Sequence, residues 1–163
     1  MPKMKIDLTA TRLRELLTYH SESGEFTWTK TGSGRKRPIA GCRRHDGYII
    51  IRLDRTLYLA HRLAWLWTYG AWPSLDIDHI NGDPSDNRIL NLRDVPRSTN
   101  LENQRAPRVS NKLGVRGVRQ YGRRYIAAIQ VAGEQIILGS FKSVEEAGSA
   151  YWEAKKRLHV GCP

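Results

Sequence analysis

Apolar positions first recur at helical spacing between residues 9 and 20, where Leu13, Leu16 and Leu17 share a face and Thr9 stands ready as an N-cap. Gly24 breaks that pattern, and Phe26 and Trp28 then alternate as in a strand. Residues 30 to 37, Lys-Thr-Gly-Ser-Gly-Arg-Lys-Arg, read as a polar, basic loop. An Asp46-Gly47 turn opens a strand from Tyr48 to Leu53, and a turn at Asp54-Arg55 leads to a second strand from Leu57 to Ala60. Residues 61 to 69 predict a helix with Leu63, Leu66 and Trp67 on its apolar face and Gly70 as its stop.

Residues 76 to 104 depart from this rhythm. The segment is dense in Asp and Asn, and its only large apolar residues are Ile77, Ile80, Ile89, Leu90, Leu92, Val95 and Leu101. So polar a stretch buries little; turns, side-chain hydrogen bonds and a cation are the means of holding it. A short helix is expected from about Ser98 to Gln104, with Ser98 as its cap. Residues 105 to 113, Arg-Ala-Pro-Arg-Val-Ser-Asn-Lys-Leu, have the composition of a linker. After them, strands are expected near Val115 to Gln120, Tyr125 to Val131 and Gln135 to Gly139, with turns at Gly122 and Gly133. Ser143 followed by Glu146 has capping-box spacing, and the helix it opens carries Val144, Ala147, Tyr151, Ala154 and Leu158 on one face. The pattern as a whole is α+β, without an internal repeat.

A length of 163 residues bounds the chain to one ordinary domain or two small ones. Its 40% hydrophobic and 26% charged content suits a soluble globular protein, with no run long enough to cross a bilayer and no signal-peptide core at the start. A cytoplasmic protein without a membrane partner is the expectation. Cys42 and Cys162 lie far apart with no Cys-x-x-Cys, which argues against a zinc ribbon and suits a reducing compartment. Charge changes the picture more: 27 Lys+Arg against 16 Asp+Glu leave +11. A polyanionic partner follows, nucleic acid before an acidic membrane surface, since no long amphipathic helix with a basic face is present. Residues 1 to 104 hold 16 basic and 12 acidic residues, whereas 105 to 163 hold 11 and 4, so the later third is the more strongly basic part.

Candidate chemistry gathers in Asp76-Ile-Asp-His-Ile-Asn-Gly-Asp, then Asn91-Leu-Arg, then Ser98-Thr-Asn-Leu-Glu-Asn. Phosphodiester hydrolysis needs a base for water, charge stabilisation at the phosphoryl oxygens and neutralisation of the leaving oxygen. A histidine serves the first need and one Mg²⁺ the other two, and Asp and Asn provide its oxygen ligands. The same residues also have ordinary uses: Asp78 as a turn cap, and Asn91 and Asn100 as turn or cap residues. His61-Arg62 opens the helix before this segment, with His61 read as structural, and His20, His45 and His159 as surface residues.

Residues 76 to 104 resemble the HNH nucleases, in particular phage and intron-type homing endonucleases whose last motif residue is Asn. The resemblance implies a ββα-metal core: two strands joined by a loop and followed by a helix around one metal. It makes His79 the general base, Asp78 and Asn100 the metal ligands, and Asn91 the middle motif residue that pins the loop and helps orient His79. Arg62 falls where a phosphate contact is expected. Asn in place of a final His favours a hard cation, Mg²⁺ or Mn²⁺, over Zn²⁺ or Ni²⁺. Asp83, Asp86, Asn87 and Asn103 are read as structural.

Residues 114 to 159 resemble the AP2 domain, through Gly114-Val-Arg-Gly-Val-Arg-Gln, Tyr125-Ile-Ala-Ala-Ile, Leu138-Gly-Ser-Phe and Glu145-Glu-Ala-Gly-Ser-Ala-Tyr. That family lays a three-stranded antiparallel sheet, packed on one helix, into the DNA major groove. Arg116, Arg119 and Gln130 match its contact positions, while Gln135 and Ile137 stand where it has a contact arginine and a tryptophan. Arg123 and Arg124, in the first turn, suit phosphates. Strict alternation does not put Arg116, Arg119 and Gln120 on one face; a bulge at Gly117 would.

The expected organisation is an N-terminal region and HNH nuclease domain over 1–104, with its core at 76–104, a linker over 105–113 and an AP2-like domain over 114–160. The expected activity is metal-dependent cleavage of double-stranded DNA by a mobile, phage-type homing endonuclease, acting in a bacterial host's cytoplasm if phage-encoded. Oligomeric state is left open. The alternative is a non-cleaving DNA-binding or regulatory protein that keeps the core as a scaffold, and an RNA binder lacks the usual aromatic stacking motifs.

Overall fold

The computed structural model describes residues 8–30, 38–104, 107, 111–131 and 133–159. Residues 31–37 of the loop expected at 30–37 and much of the linker expected at 105–113 therefore lie outside the described residues. What is described is a mixed α+β chain of four helices and several small antiparallel sheets. Contacts divide it between Val95 and Pro96 into two compact units. None of the described helices is long and apolar enough to cross a membrane.

In the first unit, helix α1 (Ala10–Leu16) starts where the Thr9 side chain accepts a hydrogen bond from the Arg12 N–H at 3.2 Å. It is shorter than its apolar spacing predicts. Leu17 turns extended and begins β1 (Leu17–His20), which pairs with β2 (Glu25–Trp28) as an antiparallel hairpin. Leu13 and Leu17 satisfy helical spacing, but Leu17 and Tyr19 also satisfy alternation, and both are buried in the strand. Cross-strand pairing with Phe26 and Trp28 decides between the two readings.

A meander follows: β3 (Cys42–Arg43), β4 (Ile49–Leu53) and β5 (Thr56–Leu59). Asp54 and Arg55 both adopt positive φ, 44° and 68°, in the two-residue turn between β4 and β5. Helix α2 (Ala60–Tyr69) ends at Gly70, whose left-handed conformation lets its N–H reach Leu66 O at 2.9 Å. Its inward face brings Ala60, Leu63, Ala64 and Leu66 against Leu13, Leu17, Phe26, Ile51 and Leu53, the core of this unit. A second hairpin, β6 (Asp76–His79) with β7 (Leu92–Val95), packs Ile77 and Leu92 into the same core. Between them the chain makes a polar loop and one 3₁₀ turn, Ile89–Asn91.

The second unit opens with α3 (Arg97–Asn103) and continues into a three-stranded antiparallel sheet, β8 (Val118–Tyr121), β9 (Arg124–Val131) and β10 (Glu134–Phe141), covered by α4 (Val144–Leu158). The expected cap at Ser98 is not formed: Pro96, two residues earlier, holds the N-cap position of α3 without a side-chain bond, and Ser98 lies inside the helix. The Ser143 cap is formed, with its oxygen accepting from the Glu146 N–H and the Glu146 carboxylate accepting from the Lys142 N–H at 3.1 Å. Val118, Ala127 and Ile129 on the sheet meet Ala147, Tyr151 and Ala154 on α4. Gly117, at φ 73°, lies just before β8, and a Cβ there would fall 2.0 Å from the Tyr151 ring. Its role is thus close approach to that ring, not the ladder bulge the sequence suggested. The ladder irregularity lies in β10, between Ile137 and Gly139.

Candidate active site

Asp78 and His79 are consecutive on β6, and each is only 5% exposed. Register sets Asp78 opposite Arg93 and His79 opposite Leu92. Across that pair the Arg93 guanidinium donates from Nε at 2.9 Å and from Nη2 at 2.7 Å to one oxygen, Asp78 Oδ2. A carboxylate so enclosed needs a positive partner, and Arg93 provides it in charge-assisted bonds.

His79 is held from two sides. Its Nε2 lies 3.3 Å from Asn87 Oδ1. Asn87 donates from Nδ2 to Ser85 O at 3.2 Å, so its oxygen faces the imidazole. That oxygen suits a hydrogen on Nε2, the tautomer of the neutral ring whose lone pair is on Nδ1. On the other side, the His61 and Tyr48 rings meet His79 edge-on, with centroids 5.1 Å and 5.9 Å away. Burial lowers the His79 pKa first of all, opposed by the Asn87 bond and by the charges of Asp78, Asp83 and Asp86. His61 is pushed further, down to about 3, by burial and then by His79 and Arg62. Both rings are neutral at physiological pH.

The loop between β6 and β7 holds itself through side chains. Asn91 Oδ1 accepts from the Asn81 N–H at 2.9 Å, and its Nδ2 donates to Asn81 Oδ1 at 3.0 Å and Asp86 O at 2.8 Å. Asn81 also donates to Asp86 Oδ2, and Arg88 closes on the same carboxylate, holding its pKa down to about 2. Asp83 caps the Ser85 N–H and hydroxyl, which lowers its pKa too. A surface cavity of about 640 Å³ flanks the loop, lined by Glu22, Ile80, Asn81, Arg88, Leu90 and Asn91 among others.

Among the sequence-expected residues, Asp78 and His79 thus stand together in the first unit, and Asn91 braces their loop. Arg62, on α2, has its guanidinium 5.9 Å from the centre of the Trp72 ring. Asn100 stands on α3 in the second unit. The partner that sequence reasoning missed is Asn87. It is 2% exposed and bonds His79 directly, but nothing in a segment so rich in Asn singles it out. His61, read as merely structural, also touches the His79 ring.

Among the described residues no three His, Cys, Asp or Glu side chains gather as a metal cage. A hard divalent cation does not need one. Mg²⁺ takes one or two protein oxygens and completes its shell with water and phosphate, so a carboxylate such as Asp78 with one amide oxygen fits that chemistry.

In the second unit, register places Arg119 opposite Ile126, Tyr121 opposite Arg124, and Gln135 opposite Gln130. Ala127 and Ile129 face α4, so Arg119, Arg124 and Gln130 share the other face. Arg124 is laid across that face, with Nε on Ser140 Oγ at 2.7 Å. Arg123 occupies the turn after β8. Arg116 precedes the ladder and donates to Gln104 Oε1 at 3.2 Å and Leu101 O at 3.4 Å. Together with Lys155, 0% exposed and donating to Gln104 O at 2.6 Å, it holds the C-terminal end of α3.

Residues 58–102 match the family model described as HNH endonuclease. The matched segment runs from Tyr58 through α2, β6, the polar loop and β7 into α3, and so includes Asp78, His79, Asn91 and Asn100. At the level of that family the activity is nuclease, a hydrolase acting on DNA, generally with a divalent metal ion. No match was found among curated proteins or among solved structures.

Proposed function

We propose that this chain is a metal-dependent endonuclease that hydrolyses phosphodiester bonds of double-stranded DNA, with the first unit carrying the base and the second gripping the duplex. The observation that carries the reading is His79 within the HNH-matching segment, buried beside Asp78 and fixed by Asn87 so that Nδ1 holds the lone pair. His79 takes a proton at Nδ1 from the attacking water, the new phosphorus–oxygen bond forms, and the bond to the leaving 3′ oxygen breaks. A neutral imidazole is the form able to do this, and burial keeps it neutral. Asp78 and Asn100 would hold Mg²⁺ or Mn²⁺, which supplies charge neutralisation at the phosphoryl and leaving oxygens. The assignment of Asn100 rests on the resemblance alone. Asn91 keeps the loop closed around His79, and Arg93 balances the buried charge of Asp78.

The second unit offers a sheet-and-helix module of the AP2 kind, whose open face carries Arg119, Arg124 and Gln130, with Arg123 at its edge. A sheet fits the major groove, where arginine reads guanine. A basic module joined to a nuclease core suits a mobile phage-type endonuclease.

Incubation with supercoiled plasmid and Mg²⁺ tests this directly. Nicked or linear product is expected with Mg²⁺ and none with EDTA. His79→Ala should lower the rate by about 10²–10⁴ while duplex binding persists. Asp78→Ala and Asn100→Ala should raise the Mg²⁺ concentration needed for half-maximal cleavage. Unchanged plasmid under every condition, with duplex binding intact, would instead favour a non-cleaving DNA-binding protein.

A further inference from the structure

The N-terminal hairpin has no part in the chemistry so far, yet it lies one residue from the base. Tyr19 on β1 is buried between Phe26 and Trp67, with ring centroids 4.9 Å and 5.8 Å away. Its hydroxyl donates to Asn87 O at 2.7 Å, a bond spanning 68 positions of sequence. Gly24, in the hairpin turn, reaches the same spot. At φ 75°, a Cβ on Gly24 would fall 2.5 Å from Arg88 N and 2.6 Å from Asn87 C, so only glycine admits this contact without displacement. Asn87 is therefore gripped at its carbonyl by Tyr19, at its peptide by Gly24, and at its side chain by Ser85 O. The group left facing inward is Oδ1, which meets His79 Nε2.

We propose that the β1–β2 hairpin is a positioning element for the general base: Tyr19 and Gly24 seat Asn87, and Asn87 holds His79 in the tautomer whose lone pair is on Nδ1. This rests on the reading of His79 as the base. Tyr19, Gly24 and Asn87 are positioning residues, since they act through His79. The aromatic pair His61 and Tyr48 packs on the other side, so a ring released by Asn87 keeps its aromatic contacts but loses the acceptor that fixes which nitrogen carries the hydrogen. Loss of the seat should thus lower turnover without weakening the grip on DNA. A general base misplaced by up to about 1 Å costs up to about 100-fold in rate.

The test combines a tautomer measurement with kinetics. In metal-free full-length chain labelled with ¹⁵N-histidine, the His79 nitrogen shifts should report hydrogen on Nε2. In Tyr19→Phe, and more strongly in Asn87→Ala, the signals should move towards a mixture of tautomers. The same variants should lose about 10-fold to 100-fold in kcat, with KM for plasmid DNA unchanged. Hydrogen on Nδ1 in the unaltered chain overturns the proposal, even if the variants fail to fold. So does Tyr19→Phe with unaltered kcat and tautomer, or with its whole loss in KM. If His79→Ala still cleaves, the reading of His79 as base fails, and the tautomer shifts alone then report whether the hairpin seats the ring.

Discussion

Replacing His61 with phenylalanine should remove a specific part of the chain's sensitivity to acid. His61 is 5% exposed on α2, against Tyr48 and His79, and burial pushes its pKa down to about 3 from 6.5. The sign follows from linkage. Below about pH 6.5 the unfolded chain binds a proton at this position that the folded chain refuses, so its stability is full above that pH and is lost as pH falls towards about 3. The gap between the two values corresponds to about 5 kcal/mol once both states are protonated, and to about 3 kcal/mol between pH 7 and pH 4. Phenylalanine keeps an aromatic ring against Tyr48 and His79 and cannot titrate. Urea unfolding followed by tryptophan fluorescence, at pH 7 and at pH 4, gives the quantity directly. The unaltered chain should lose about 3 kcal/mol more than His61→Phe over that interval. Proton uptake by the loop carboxylates Asp83 and Asp86 acts in the same direction but is shared by both chains, so it cancels in the difference. Equal losses would refute the reasoning, because they would mean that His61 already meets solvent in the folded chain.

Three further outcomes are expected. Gly117→Ala should destabilise the second unit by several kcal/mol, through the 2.0 Å approach to Tyr151, whereas Gly122→Ala, with open space around it, should cost about 1–2 kcal/mol for its left-handed φ; thermal midpoints compare them. Lys155→Met should leave overall stability within about 2 kcal/mol, since a buried cation is exchanged for an apolar chain of similar size, yet hydrogen exchange of the α3 amides near Gln104 should quicken as their anchor is lost; unchanged exchange would deny Lys155 that role. In duplex binding at several salt concentrations, Arg123→Ala should reduce the salt slope by about one, whereas Arg119→Ala should cost about 1–3 kcal/mol and relax preference at one base pair; Arg116→Ala should act through α3 instead, because its guanidinium is engaged by Gln104 and Leu101.

Local chemistry was legible from the sequence. Thr9 and Ser143 cap the helices they were expected to cap, Gly70 ends α2, and Asp54-Arg55 makes its turn, because each effect is settled within about four residues of chain. The Asp78-His79 pair was legible for the same reason: base and carboxylate are neighbours, and the asparagine-rich run after them shows a loop held by side chains. Leu17 to Tyr19 was misread, since its residues satisfy both periodicities and only the partner strand at Glu25–Trp28 chooses. The attachment of α3 was equally hidden, because the groups that hold its end, Arg116 and Lys155, come 12 and 51 positions after Gln104. Asn87 is the sharpest case. Its composition is that of every other asparagine in the loop, and what sets it apart is the Tyr19 hydroxyl, the bare Cα of Gly24 and the imidazole of His79 converging on it. Sequence alone determined which groups can do the chemistry, because that is a property of residue type and near spacing. Only the tertiary structure decided which of them meet and which side chain seats His79, because those depend on contacts between segments that chain order leaves far apart.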